Sequence, residues 1–176
     1  MNVKYLLPFV EAAAEVLKAE AQLDVNRGQL SMDKSTYYSE DLTVIISLIG
    51  DIVGTVLYSM DSSTAMNISS AILGEKLTEL SNLAQSGIAE LSNVITGRAS
   101  VKLSRSGYQS NISPPTLLIG SGGIISTLDL PRLIVPMSGT FGALTVHLAL
   151  RENLQRSGLS TSQMAVPNAP ELGDAS

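Results

Sequence analysis

The chain has 176 residues, of which 44% are hydrophobic and 15% charged, with a net charge of −5. That length allows one domain with a real core, and the acidic balance lacks the concentrated basic face that nucleic acid requires. Without cysteine and with one histidine, disulfides, thiol nucleophiles, thiolate metal sites and the usual zinc sets are excluded, and a Ser/His catalytic arrangement is weakened. The charged share is well under the roughly 25% usual for soluble domains, which suggests a surface partly covered by a partner subunit.

Residues 3–21 show helical periodicity, with Pro8 in a first turn where its missing N–H is tolerated. Glu11 breaks the apolar run there and no cleavage signal follows, so the segment does not read as a signal peptide. A short strand is expected over residues 23–30. Residues 42–48 and 52–58 read as a hairpin turning at Gly50 and Asp51. Asp51 also interrupts the longest apolar tract, which is shorter than the roughly 20 residues that span a bilayer. A cytoplasmic protein without membrane insertion is expected.

A compact helix follows, with Asp61 or Ser62 as N-cap and Gly74 as its stop. The next helix is long, over residues 77–103, and its end carries Arg98, Lys102 and Arg105 at helical spacing, where cations favour the helix dipole. Strands are expected in TLLI, PRLIVPM and FGALTVHLAL. The glycines of residues 120–123 lack the Lys-Ser/Thr and the helix of a phosphate loop, so a hairpin turn is expected there. In the last strand His147 alternates with Leu144, Val146, Leu148 and Leu150, which places it outward or at an interface. Residues 157–176 are small, polar and without period, as in a disordered tail, which leaves residues 1–156 as a single domain.

GDIVGTVLYSM and SGTFGALTVHLAL share closely spaced glycines leading into a long apolar strand, and a long helix begins each half. The pattern is helix-strand-strand twice, a weak internal repeat.

The stretch SGIAELSNVITGRAS places Ser86, Glu90 and Asn93 within roughly 60° of one another on a helix, and Gly97 continues the line. Leu80, Leu83, Ala84, Ile88, Leu91, Val94 and Ile95 are assigned to the opposite, buried face. The small neighbours Ser86, Ala89, Gly97 and Ser100 would let another backbone come close. Spacing alone also fits an ordinary solvated helix face.

The pattern S-x-x-x-E-x-x-N on a long amphipathic helix resembles the signature of the CheC/CheX/FliY phosphatases of bacterial chemotaxis. That signature continues with a downstream proline, matched here by Pro114 or Pro115. NVKYLLPFVEAAAEVL, GDIVGTVLYSMDSSTAMNISSAILGEK and PRLIVPMSGTFGALTVHLAL are similar to the CheX branch in particular. CheC-like members carry E-x-x-N on each long helix, whereas Ala14 stands here where the first asparagine would be. The resemblance implies an α/β (α+β) fold of two pseudo-symmetric halves with long antiparallel strands and an additional central helix, in agreement with the repeat, together with one site and a homodimer joined through its sheets.

It also implies hydrolysis of the phosphoaspartate of a CheY-like response regulator. Asn93 would position the attacking water and Glu90 would pair with the regulator's lysine. Ser86 and Gly97 would permit close approach of the partner. No cofactor of its own is implied, since Mg2+ would be bound by the regulator. A non-catalytic regulator-binding or flagellar-switch-like module of the same fold is the alternative. An enzyme with its own metal would need further ligands near Glu90, and no such cluster is visible in the sequence.

Overall fold

The computed structural model describes residues 3–34, 36–127 and 130–154. The expected tail, residues 157–176, lies outside the described residues. A short 3-10 turn, Val3–Tyr5, leads into α1, Leu6–Ala21. Two long hairpins form the centre of one antiparallel sheet: β4 (Leu42–Gly50) with β5 (Ile52–Met60), and β9 (Arg132–Gly139) with β10 (Gly142–Glu152). The inner strands β5 and β10 pair with each other across the middle. Gly54 marks their close approach, because a Cβ there would lie 2.0 Å from the carbonyl oxygen of Ala149.

The halves exchange their edges. The segment after α1 contributes β1 (Asn26–Arg27) and β2 (Ser31–Asp33), which pair with β9 of the other half. The segment after α3 (Asn82–Arg105) contributes β6 (Ser110–Ile112) and β7 (Thr116–Ile119), which pair with β4. Each half also supplies one strand of a small ribbon, β3 (Tyr37–Tyr38) with β8 (Ile124–Ile125). The expected strand over residues 23–30 is thus two short pairings, of which only β1 falls within that range. The turn at residues 121–123 joins strands paired to other partners rather than to each other.

Helix α2, Ser62–Leu73, is the additional central helix. Asp61 is its N-cap, accepting from Thr64 N at 2.7 Å, and Gly74 closes it in the left-handed conformation. Helix α3 starts at its Ser81 cap rather than at residue 77. Leu80 therefore precedes it and is only half-buried.

The three helices bury their apolar faces against one side of the sheet. Phe9, Val16, Ile88, Ile95, Val56 and Val146 are fully enclosed there. The buried positions Phe9, Ala12, Ala13, Val16 and Leu17 of α1 repeat in α3 as Ile88, Leu91, Ser92, Ile95 and Thr96 with the same i, i+3, i+4, i+7, i+8 spacing. The repeat read from the sequence is thus a repeat of packing.

The other side of the sheet is not a simple solvent face. Thr43, Ser59, Arg132 and His147 are buried there, and Tyr37 of the ribbon packs its ring, tilted by 52°, against the His147 ring at 4.6 Å between centroids. His147 is therefore enclosed, not outward, because the β3–β8 ribbon lies over the face its alternation selects. Its Nε2 lies 3.0 Å from Ser59 Oγ, which in turn donates to Glu40 Oε1 at 3.4 Å. Burial, and secondarily the Arg132 guanidinium, push the imidazole pKa down to about 4 against a weaker opposite pull from Asp33.

Candidate functional site on helix α3

Helix α3 is 24 residues long, about 36 Å at 1.5 Å per residue, and its rotation about its own axis is fixed from inside. Thr96 Oγ1 and the buried Tyr58 hydroxyl of β5 share a hydrogen bond of 2.8 Å. An unmet hydroxyl at that depth would be costly, so the bond holds the Thr96 side toward the sheet. Ile88, Ser92, Ile95 and Ala99 follow it inward.

The polar stripe consequently faces out. Ser86 and Glu90 are exposed, and Asn93 and Gly97 are partly so. Among the described residues no hydrogen bond or ion pair engages the side chains of Ser86, Glu90 or Asn93. Glu90 has no further carboxylates or imidazoles gathered around it as a metal-binding group among those residues. A carboxylate and a carboxamide one turn apart can accept, donate and orient, but they need a partner to do so.

Leu83 departs from its expected place. It stands 62% exposed because it precedes Ile88 by five residues, which turns it about 140° from the buried face. Val101 is 53% exposed on the same outer side. The stripe therefore has an exposed apolar residue beyond each end, Leu83 and Val101.

The other flank of α3 meets β6. Ser100 Oγ donates to Ser110 O at 2.7 Å, and a Cβ at Gly97 would lie 3.8 Å from Ile112 Cδ1. The two elements run past each other in opposite senses. Extending that course by the helical and strand rises brings the Pro114-Pro115 corner level with Asn93. Pro114 is exposed and Pro115 partly buried.

On the side toward α1 the charges are matched within the chain. Lys102 Nζ donates to Glu15 Oε1 at 2.7 Å and to Glu11 Oε2 at 3.1 Å, and Arg98 lies 3.7 Å from Glu15. The Lys102 hydrogen bond lowers the Glu15 pKa, and the two carboxylates raise that of Lys102. Two of the three basic residues near the helix end, Arg98 and Lys102, thus also clamp α3 onto α1.

A helix-backed antiparallel sheet of two exchanged halves is the fold of the CheC-like class. A CheC-like superfamily protein from Shewanella sp. PV-4 superposes with a TM-score of 0.78 at 25% identity, covering 86% of this chain and 99% of that one. The family model described as Chemotaxis phosphatase CheX matches residues 42–138, which include the whole of α3, and the chain belongs to that family.

The chain is 28% identical over 121 residues to the CheY-P phosphatase CheX of Thermotoga maritima, spanning 68% of this chain and 78% of that protein. The crystal structure of the CheX–CheY–BeF3–Mg+2 complex from Borrelia burgdorferi superposes with a TM-score of 0.74 at 25% identity, over 86% of this chain and all (100%) of that one. Among the described residues no helix is long and apolar enough to cross a membrane.

Proposed function

We propose that this protein is a phosphatase acting on the phosphoaspartate of a CheY-like response regulator in chemotaxis or related two-component signalling in the cytoplasm. One observation carries this function: Glu90 and Asn93 stand together on an internally anchored helix with no partner of their own among the described residues. The named relatives support it, one being a CheY-P phosphatase and another crystallised with CheY, BeF3 and Mg2+.

The chemistry asks little of the phosphatase. Water attacks phosphorus, the bond from phosphorus to the aspartyl oxygen breaks, the regulator regains its free aspartate carboxylate, and inorganic phosphate is released, with the water proton passing to phosphate or solvent. An acyl phosphate is already activated, and the regulator supplies its own Mg2+ and lysine. What is missing is a water held in line. The Asn93 carboxamide holds it, accepting one of its hydrogens with Oδ1. Glu90 accepts from the regulator's lysine and so sets the docking register. Placement of this kind is worth a hundredfold or so in rate, about 2.7 kcal/mol. Gly97 and Ser86 keep the approach free of bulk.

The exchanged sheet leaves edges at β1/β2 and β6/β7. We place the homodimer contact at such an edge, where unpaired backbone groups need a partner. The test of function is to incubate the protein with a phosphorylated CheY-like regulator and follow phosphate release. Faster loss than from the regulator alone is expected. Binding without acceleration would assign the chain to the non-catalytic alternative.

A further inference from the structure

We infer that the groove between α2 and α3 seats an apolar side chain of the response regulator and thereby helps select which regulator is served; this rests on the docking described under Proposed function. Two hollows make up the groove. One, of about 240 Å³, is bounded by Ile72, Leu73, Leu83, Ala84, Ser86 and Gly87. The second, of about 350 Å³, shares Ile72 and Gly87, continues to Leu91, Val94 and Glu90, and is closed on the α1 side by Glu20. The groove is therefore continuous with the stripe: Ser86 lines one end and Glu90 the other. Leu73 and Leu83 stand at its mouth, 41% and 62% exposed.

Gly87 is the informative residue. It lies inside α3, where glycine weakens a helix relative to alanine. A Cβ built on it meets nothing within 4 Å, so packing within the chain does not demand its absence. Nor is its φ positive. The missing side chain does one visible thing: it leaves the groove open beside Glu90. Binding energy at interfaces concentrates on a few apolar anchors seated in pockets, while charge pairs at the edge set orientation. Glu90 with the regulator's lysine supplies the second, and this groove supplies the first. The occupant is the regulator rather than another copy of this chain, because a copy seated here would cover Glu90.

Gly87→Leu fills the groove without altering Glu90 or Asn93. With a CheY-like regulator phosphorylated by a small-molecule phosphodonor, it should raise the half-saturating regulator concentration about 10-fold or more, with the effect on KM rather than kcat. Leu83→Asn, at an exposed position that cannot threaten the fold, should raise KM about 3-fold. If Gly87→Leu fails to fold, as circular dichroism would show, Leu83→Asn decides alone.

Parent-like KM in a folded variant overturns the groove and leaves the phosphatase assignment standing. Dissociation of a dimer with KM unchanged would give the groove to a second copy and likewise overturn it. If the parent protein accelerates nothing, the assignment of activity fails instead. The groove is then judged by binding of beryllofluoride-activated regulator with Mg2+: weaker binding by Gly87→Leu supports it, and equal binding overturns it.

Discussion

Helices α1 and α3 repeat the same buried pattern against the same sheet, yet they treat their outward acids differently. On α1, Glu11 and Glu15 are both held by Lys102, and Ala14 sits between them half-buried. On α3, Glu90 has Asn93 one turn on, and among the described residues neither is held by anything. Where a polar group finds its partner inside the chain, removing it should be felt in stability. Where the fold leaves it unmatched, removal should be felt in function.

Substitution of Glu90 would break this contrast if it left docking intact. Glu90→Ala should lower kcat/KM for regulator dephosphorylation by about 30-fold or more, with KM raised, because docking loses a charge-assisted contact. Steady-state phosphate release measures it, and an unchanged KM would remove the lysine-pairing role.

His147 sharpens the other side of the contrast, since its partners are internal. Its folded pKa, about 4, lies below the unfolded value near 6.5. The folded protein thus binds fewer protons than the unfolded chain between those values, and stability is full above about pH 6.5 and falls as pH drops toward 4. Protonation would add an Nδ1–H, which has no acceptor among the described residues, beside Arg132. The loss amounts to at most about 3 kcal/mol. Denaturant unfolding across that range should show it in the parent and a shallower slope in His147→Gln; identical slopes would contradict the assignment.

The smallest effect belongs to the clamp. Lys102→Ala should lower the unfolding midpoint by no more than about 3 °C, less at high salt, because the pairs are solvent-screened. Ala14→Asn should not restore dephosphorylation to an Asn93→Ala protein, since Glu11 next to it is already engaged by Lys102. Restored turnover in that double variant would show that α1 lacks only its asparagine.

Long-period features were legible from residues alone. The two helix-strand-strand halves follow from helical and alternating periodicity, and the α2 cap and stop follow from Asp61 and Gly74. The outward stripe of Ser86, Glu90, Asn93 and Gly97 follows from helical spacing. Shorter features carried no such signal. Strands β3 and β8 have two residues each, too few to show a period, so the cover they place over His147 could not be anticipated.

The exchange of edge strands between halves is a matter of connection, not of composition. Leu83 has the hydrophobicity of a buried position, but its angle from Ile88 turns it out toward solvent. The groove beside it depends on where α2 lies, which no local pattern in α3 records. The role proposed for the Glu-x-x-Asn line is legible only through the family resemblance, since the same spacing would suit a solvated face.

The most direct test is made on one preparation of Asn93→Ala, measuring unfolding free energy and dephosphorylation of a CheY-like regulator side by side. The stability should stay within about 0.5 kcal/mol of the parent, and turnover should fall about 100-fold while much of the regulator binding remains. Parent-like turnover in the folded variant, or a large loss of stability, would contradict the claim that Asn93 serves the partner and not the fold.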